Sequence, residues 1–243
     1  MKKQTIDQYE IDQFNRHADQ WWQPDGIFKP LHQMNPCRLA FIKKEICEKF
    51  NRSPGMPAPL EGLKILDAGC GGGILTEPLA RLGAIVTGID AGDKNIEVAQ
   101  KHANDQNLKI TYEIGTPADL EIKNKFDVVI SLEVIEHVAD IQSYLNACTE
   151  LVNKEGLLIL STLNRTPLSY IGAIALGEYI LKWVPKGTHD WHKFVKPGEL
   201  ATFLAKENFS IKHMQGMGYN PMSKQWSLSD RLDINYILST IPY

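Results

Sequence analysis

From residue 60 onward, short bursts of apolar residues alternate with longer stretches of helical spacing. The bursts at 63–66, 85–89, 110–114, 126–131 and 157–160 have the length and β-branched content of buried strands. Between them, 74–82, a stretch containing 96–103, and roughly 139–152 repeat apolar residues at helical spacing. Strands alternating with helices predict a parallel sheet covered on both faces, an α/β fold. Beyond the fifth strand come a helix near 197–206 and strand-like stretches over 209–219. Ahead of the core, residues 5 to about 22 set Ile6, Tyr9, Phe14 and Trp21-Trp22 among polar residues, which predicts a helix. Pro24 and Pro30 mark a loop, and 36–50 reads as a second helix carrying Leu39, Ile42, Ile46 and Phe50. The proline-rich stretch 53–59 links it to the core. The chain is thus expected to be one domain, 1–243, with a helical cap and linker (1–59), a core (60–243) and an insertion at 164–196.

Composition narrows this little. The 243 residues are 43% hydrophobic and 23% charged, which suits one globular domain with a substantial core. A net charge of −3 gives no electrostatic case for a nucleic-acid partner. Cys37, Cys47, Cys70 and Cys148 have no C-x-x-C spacing, so they imply neither a zinc site nor a disulfide framework. The first seven residues show no apolar region behind their lysines, so no signal peptide and a reduced, cytoplasmic setting are expected.

Candidate chemistry begins where the first strand ends. Lys64-Ile65-Leu66-Asp67-Ala68-Gly69-Cys70-Gly71-Gly72-Gly73 is a strand ending in an acid, then a glycine-rich turn opening a helix. The next strand ends in Gly88-Ile89-Asp90. Glycines let backbone approach a ligand, and Asp90 is placed to accept hydrogen bonds from two ribose hydroxyls. A dinucleotide fingerprint needs a third glycine where Ile74 or Thr76 stands, and a P-loop needs Gly-Lys-Ser/Thr. Neither fits. The D-x-G-x-G-x-G register of Asp67, Gly69, Gly71 and Gly73 resembles motif I of the class I S-adenosylmethionine (SAM)-dependent methyltransferases.

A second constellation, Glu133-Val134-Ile135-Glu136-His137, follows the fourth strand and should face the same cleft. On a helix, Glu133, Glu136 and His137 share a face. They could ligate Mg²⁺ or Zn²⁺. Alternatively, His137 is a general base oriented by a glutamate. In the plainer reading Glu133 only caps the loop and His137 lines the acceptor pocket. After the fifth strand, 168–184 is apolar almost all round but short for a membrane span. The window 164–196 holds five bases against two acids, net +3, which suits an anionic membrane surface as well as a substrate lid or a buried core helix. His189-Asp190-Trp191-His192 has donors for a metal, although polar packing is the commoner use of such a cluster.

Several runs together resemble the ubiquinone-biosynthesis O-methyltransferase family. They are Trp21-Trp22, Phe28-Lys29-Pro30-Leu31-His32, Asn35-Pro36-Cys37-Arg38-Leu39, the glycine motif with Ile74-Leu75, and Glu133 to His137. Ser161-Thr162-Leu163-Asn164-Arg165, Glu178-Tyr179-Ile180-Leu181 and Val184-Pro185-Lys186-Gly187-Thr188-His189-Asp190 complete them. The resemblance implies a Rossmann-like doubly wound sheet, mostly parallel with an antiparallel edge strand. It also implies two methylations of phenolic hydroxyls on polyprenyl-substituted rings. It implies SAM contacts at Arg38, Gly69, Asp90 and Leu132, with Asp67 and Gly71 in the same motif, and a divalent metal at Glu133, Glu136 and His137. Membrane lipid at residues 164–190 and other ubiquinone-biosynthesis enzymes are the implied partners, and a peripheral place on the inner face of the membrane follows. One departure stands out: where methyltransferases often carry an acid for adenine, Gly115-Thr116-Pro117-Ala118 offers none before Asp119. The rival readings are methylation of another small acceptor or of ring carbon, an NAD-dependent oxidoreductase, and an inactive SAM-binding scaffold.

Overall fold

A computed structural model describes residues 8–170 and 190–243. Residues 5–7 of the expected first helix, 171–184 of the apolar segment with Glu178 and Lys182, and the run 184–189 with His189 lie outside the described residues. The described elements begin with α1 (Gln8–Arg16), α2 (Lys29–Lys49), β1 (Lys64–Ala68), α3 (Thr76–Arg81), β2 (Ile85–Asp90), α4 (Asp93–Asp105) and β3 (Thr111–Ile114). They continue with β4 (Phe126–Leu132), α5 (Ile141–Glu150), β5 (Val152–Leu163), α6 (Pro167–Ser169), α7 (Pro197–Lys206), β6 (Phe209–Asn220), β7 (Gln225–Ser229) and β8 (Asn235–Pro242).

Among the described residues the strands form one sheet in the order β3-β2-β1-β4-β5-β8-β6-β7. The first five are parallel. β8 runs antiparallel to β5, β6 to β8, and β7 to β6. Side chains alternate across each strand, so neighbours feed opposite layers. Ile65, Leu157 and Ile159 join Phe41, Ile42 and Ile46 of α2 and Leu79 of α3 on one face. Leu66, Leu158 and Leu160 join Tyr144, Leu145 and Cys148 of α5 and Leu200 and Leu204 of α7 on the other. That double cover is why these strands carry apolar residues at successive positions.

Two expectations are corrected and a third is extended. The long helix over 5–22 ends at Arg16 and gives way to a 3₁₀ turn at Ala18–Gln20. The second helix begins at Lys29 rather than 36, because Pro30 occupies its first turn, where the missing N–H has no helical partner to lose. The expected antiparallel edge is present and comprises three strands, β8, β6 and β7. β8 escaped notice because Ser239 and Thr240 interrupt its apolar run. Both are buried, with Ser239 Oγ donating to Glu45 Oε2 at 2.7 Å and Thr240 Oγ1 to the Ser210 carbonyl at 2.7 Å.

Candidate functional site

β1 lies between β2 and β4, with Asp67 opposite Gly88 on one side and Ile130 on the other. The chain order reverses direction there, so the carboxyl ends of these strands open a crevice. The glycine turn lines it. Gly69 sits at φ +78°, and a Cβ there would come within 2.3 Å of Val134 Cγ2. Asp67 is buried and accepts from Thr76 Oγ1 at 2.6 Å. Burial pushes its carboxyl up to about 6, with the charge of Asp90 adding to the rise and the Thr76 bond opposing it.

Asp90 stands beside the turn as expected, and it also organises it. Its Oδ2 accepts from the Gly71 N–H at 2.9 Å, and its Oδ1 from Gly92 N–H at 2.8 Å and Asn95 Nδ2 at 3.0 Å. Burial raises its pKa, and these three donors hold it back. Oδ2 accepts one of these bonds and a carboxylate oxygen has two lone pairs, so it retains capacity for a sugar hydroxyl.

The cap folds over this turn. Trp21 packs so closely on it that a Cβ on Gly72 would meet Trp21 Cγ at 2.3 Å. Its Nε1 donates to Asn95 Oδ1 at 2.8 Å, while Trp22 Nε1 donates to the Gly72 carbonyl at 2.8 Å. From α2, Asn35 Nδ2 donates to the Ile74 carbonyl at 2.9 Å. One turn on, Arg38 is buried with Nε and Nη2 lacking any hydrogen-bond partner, although Nη2 lies 3.3 Å from Glu133 Oε1 as an ion pair. A buried guanidinium with unused donors fits a carboxylate ligand. With Asp90 and the glycine turn, these residues fit an amino-acid-bearing nucleoside such as SAM.

The second constellation is assembled differently from the expectation. Residues 133–137 form a turn, not a helix, so the three side chains do not share a helical face. Leu132 closes β4. Glu133 then takes φ +55°, a conformation that costs a non-glycine residue about 1–3 kcal/mol. Its Oε1 accepts from Ser161 Oγ at 2.7 Å and faces Arg38. Glu136 is buried, accepts from Thr162 Oγ1 at 2.9 Å through Oε2, and has no hydrogen-bond partner at Oε1. Burial and the nearby Glu133 push its pKa well above the ordinary carboxylate value.

His137 points to a different partner, Glu10 of α1, with Nδ1 at 3.1 Å from Oε2. The Phe14 ring meets the imidazole edge-on at 5.5 Å. Lys193 Nζ donates to the other Glu10 oxygen at 3.1 Å. Burial would raise the Glu10 pKa, but hydrogen bonds and charge from His137 and Lys193 outweigh it and lower it.

The three residues expected to hold Mg²⁺ or Zn²⁺ are not gathered on a helical face, and each has a hydrogen-bond partner of its own. Glu133, Glu136 and His137 are held by Ser161, Thr162 and Glu10, and among the described residues no three His, Cys, Asp or Glu are grouped to hold a metal ion. In the later cluster, Asp190 Oδ1 accepts from the His192 N–H at 3.0 Å and so caps a short turn. Asp119 is likewise a cap, accepting from Thr116 N–H at 3.0 Å.

Glu10, Phe14, Asn35 and Asn95 were not singled out from sequence as site residues. A signal existed for the first two: they stand four apart, on one face of an amphipathic helix, and one is an acid.

A family model described as "Methyltransferase domain" matches residues 66–160. The chain is 50% identical over 239 residues to a ubiquinone biosynthesis O-methyltransferase of Cereibacter sphaeroides, covering 98% of this chain and 97% of that one. To the protein of the same name from Bartonella tribocorum it is 49% identical, covering 96% and 95%. For that of Pelagibacter ubique the identity is 46%, with 98% of each chain covered. The fold is similar to that of magnesium protoporphyrin IX methyltransferase from Synechocystis with bound SAH. The TM-score there is 0.66 at 23% identity, over 97% of this chain and 96% of that one. It is also similar to a SAM-dependent methyltransferase from Clostridium acetobutylicum, with a TM-score of 0.59 at 15% identity, over 97% and 99%.

Proposed function

The chain belongs to the ubiquinone biosynthesis O-methyltransferase family, and we propose that it methylates phenolic hydroxyls of polyprenyl catechol-type intermediates, at both O-methylation steps. The observation that carries this is a buried Arg38 with unused donors beside Glu133, four positions from an imidazole clasped by Glu10. One element is suited to hold a cofactor carboxylate and the other to move a proton.

SAM, when bound, supplies a methyl group already activated on a sulfonium. Arg38 pairs with its carboxylate, Asp90 accepts from its ribose, and the turn at Gly69 and Gly71 lets backbone lie against it. Leu132, at the end of β4, borders the same crevice. The protein's remaining task is the acceptor. A phenol with a pKa near ~10 is mostly protonated at neutral pH. His137 takes that proton as the hydroxyl oxygen is brought into line with the methyl.

A polyprenyl acceptor resides in lipid. The net positive window 164–196 and the exposed Leu168 and Tyr170 at its described start support peripheral contact with an anionic membrane surface. No described helix is long and apolar enough to cross a membrane.

The deciding experiment incubates the purified protein with SAM and a prenylated catechol, then maps the product by mass spectrometry and NMR. One methyl on a phenolic oxygen is expected. Transfer to ring carbon, or none to either substrate of the two steps, overturns the assignment.

A further inference from the structure

We infer that Trp21 is a positioning residue of the cofactor pocket, acting through Asn95 to hold the Asp90 carboxylate in the orientation that receives a ribose hydroxyl. The inference rests on the reading of Asp90 as the ribose acceptor. It extends that reading to the cap, since Trp21 lies 74 positions from the asparagine it bonds.

The Trp21-Trp22 run stands out in the sequence, yet the transfer chemistry uses neither ring. Both rings bear on the glycine motif. Trp21 is buried and stacks on Phe28, with ring centres 3.7 Å apart and planes 1° from parallel. It lies so close to the turn that a Cβ on Gly71 would come within 2.5 Å of Trp21 Cη2. Trp22 clips the same turn: its N–H holds the Gly72 carbonyl while its ring stacks on His102 of α4 at 3.6 Å. His102 is in turn bonded to the buried Glu77 of α3. Trp21 is therefore held in one orientation against Phe28 and the glycine turn.

That orientation has a consequence for hydrogen bonding. An indole N–H donates and accepts nothing. The atom it meets, 2.8 Å away, is Asn95 Oδ1. The Asn95 amide is thereby set one way round, with its carbonyl toward Trp21 and Nδ2 toward Asp90 Oδ1 at 3.0 Å. Reversed, it would place N–H against N–H at one end and oxygen against carboxylate at the other. Asn95 is 2% exposed, so water is not at hand to replace either bond. The Gly92 N–H takes the second position on Oδ1 at 2.8 Å, and the Gly71 N–H takes one on Oδ2 at 2.9 Å. A carboxylate has about four acceptor positions, so the one left, on Oδ2, is the place for a sugar hydroxyl. Loss of the Asn95 bond frees the carboxylate to turn, and that last position loses its direction.

Calorimetry with two probes tests this. One is SAH, the demethylated form of the cofactor; the other is an SAH analogue lacking both ribose hydroxyls. The proteins are the wild type, W21F, N95A, the double variant and D90A. W21F keeps a ring against the turn and removes the N–H donor. W21F and N95A should each weaken SAH about tenfold and leave affinity for the analogue unchanged, and the double variant should lose no more than N95A alone. An equal loss for both probes marks a merely structural role and overturns the inference. So does wild-type affinity for SAH in either variant, or losses that add in the double variant. A D90A protein that still prefers SAH over the analogue as the wild type does refutes instead the ribose reading of Asp90.

Discussion

The two sides of the crevice are tied together over very different distances along the chain. On the donor side, Asp67 is bonded to Thr76 nine residues on, and Gly71 to Asp90 nineteen on. On the acceptor side, His137 is held by Glu10 at a separation of 127, and Glu10 by Lys193 at 183. The donor side can form within one βαβ unit. The acceptor side needs the cap, the turn after β4 and the segment following the insertion to arrive together. Substitutions on the two sides should therefore separate into losses of SAM affinity and losses of transfer rate.

The sharpest break in that division comes from Gly69. An alanine there carries strain at φ +78° and a 2.3 Å approach to Val134. About 3 kcal/mol of strain falling on the cofactor site equals roughly a hundredfold in affinity. G69A should lose that much SAM affinity by calorimetry while transfer from saturated enzyme changes little. A loss confined to rate would erase the distinction. R38A comes next, with a more than tenfold weaker SAM affinity expected. Because Arg38 also faces Glu133, it is the donor-side residue whose loss should reach the acceptor side. Unchanged affinity by calorimetry would remove Arg38 from the cofactor site.

The same contrast explains what could be read in advance. The five parallel strands and the helices after them announce themselves by local periodicity, and the glycine motif by its spacing, since each is a neighbour-to-neighbour property. Asp90 was legible for that reason. The Glu133–His137 run drew notice as a cluster, but its geometry did not follow: spacing suggested a shared helical face, whereas the positive φ of Glu133 turns the chain out of any helix. Glu10 could not be paired with His137 at all, because nothing local to either residue names the other. β8 was hidden by Ser239 and Thr240, whose partners Glu45 and Ser210 lie far off in sequence.

A smaller effect isolates the charge on the donor side. Burial lifts the Asp67 carboxyl to about 6 in the empty protein. SAM brings an ammonium and a sulfonium, which favour the ionised form and so lower that pKa on binding. Binding then releases a proton, and affinity should weaken as pH falls below about 6, by at most about tenfold per pH unit. In D67N the dependence should flatten. Stability runs the opposite way. A raised carboxyl pKa favours the fold most below its unfolded value near ~3.9, and that contribution is lost as pH rises through about 6. Empty D67N should accordingly melt above the wild type at pH 8, with the gap closing below pH 4. A gap that persists in acid would locate the effect in packing.

The least effect is expected from metal removal. If Glu133, Glu136 and His137 held a divalent ion, stripping it would abolish transfer, and Mg²⁺ or Zn²⁺ would restore it. In the structure each of these groups has a hydrogen-bond partner, Ser161, Thr162 or Glu10, and the three do not share a helical face. Rigorous chelation should therefore leave single-turnover transfer unchanged at saturating acceptor. Loss of activity with recovery on adding Mg²⁺ or Zn²⁺ would mean that the turn rearranges around an ion. His137 could hold such an ion through Nε2 while Nδ1 stays bonded to Glu10. Recovery on adding Mg²⁺ or Zn²⁺ would mean that an ion favours the phenolate, whereas indifference to chelation would leave the proton to His137 directly.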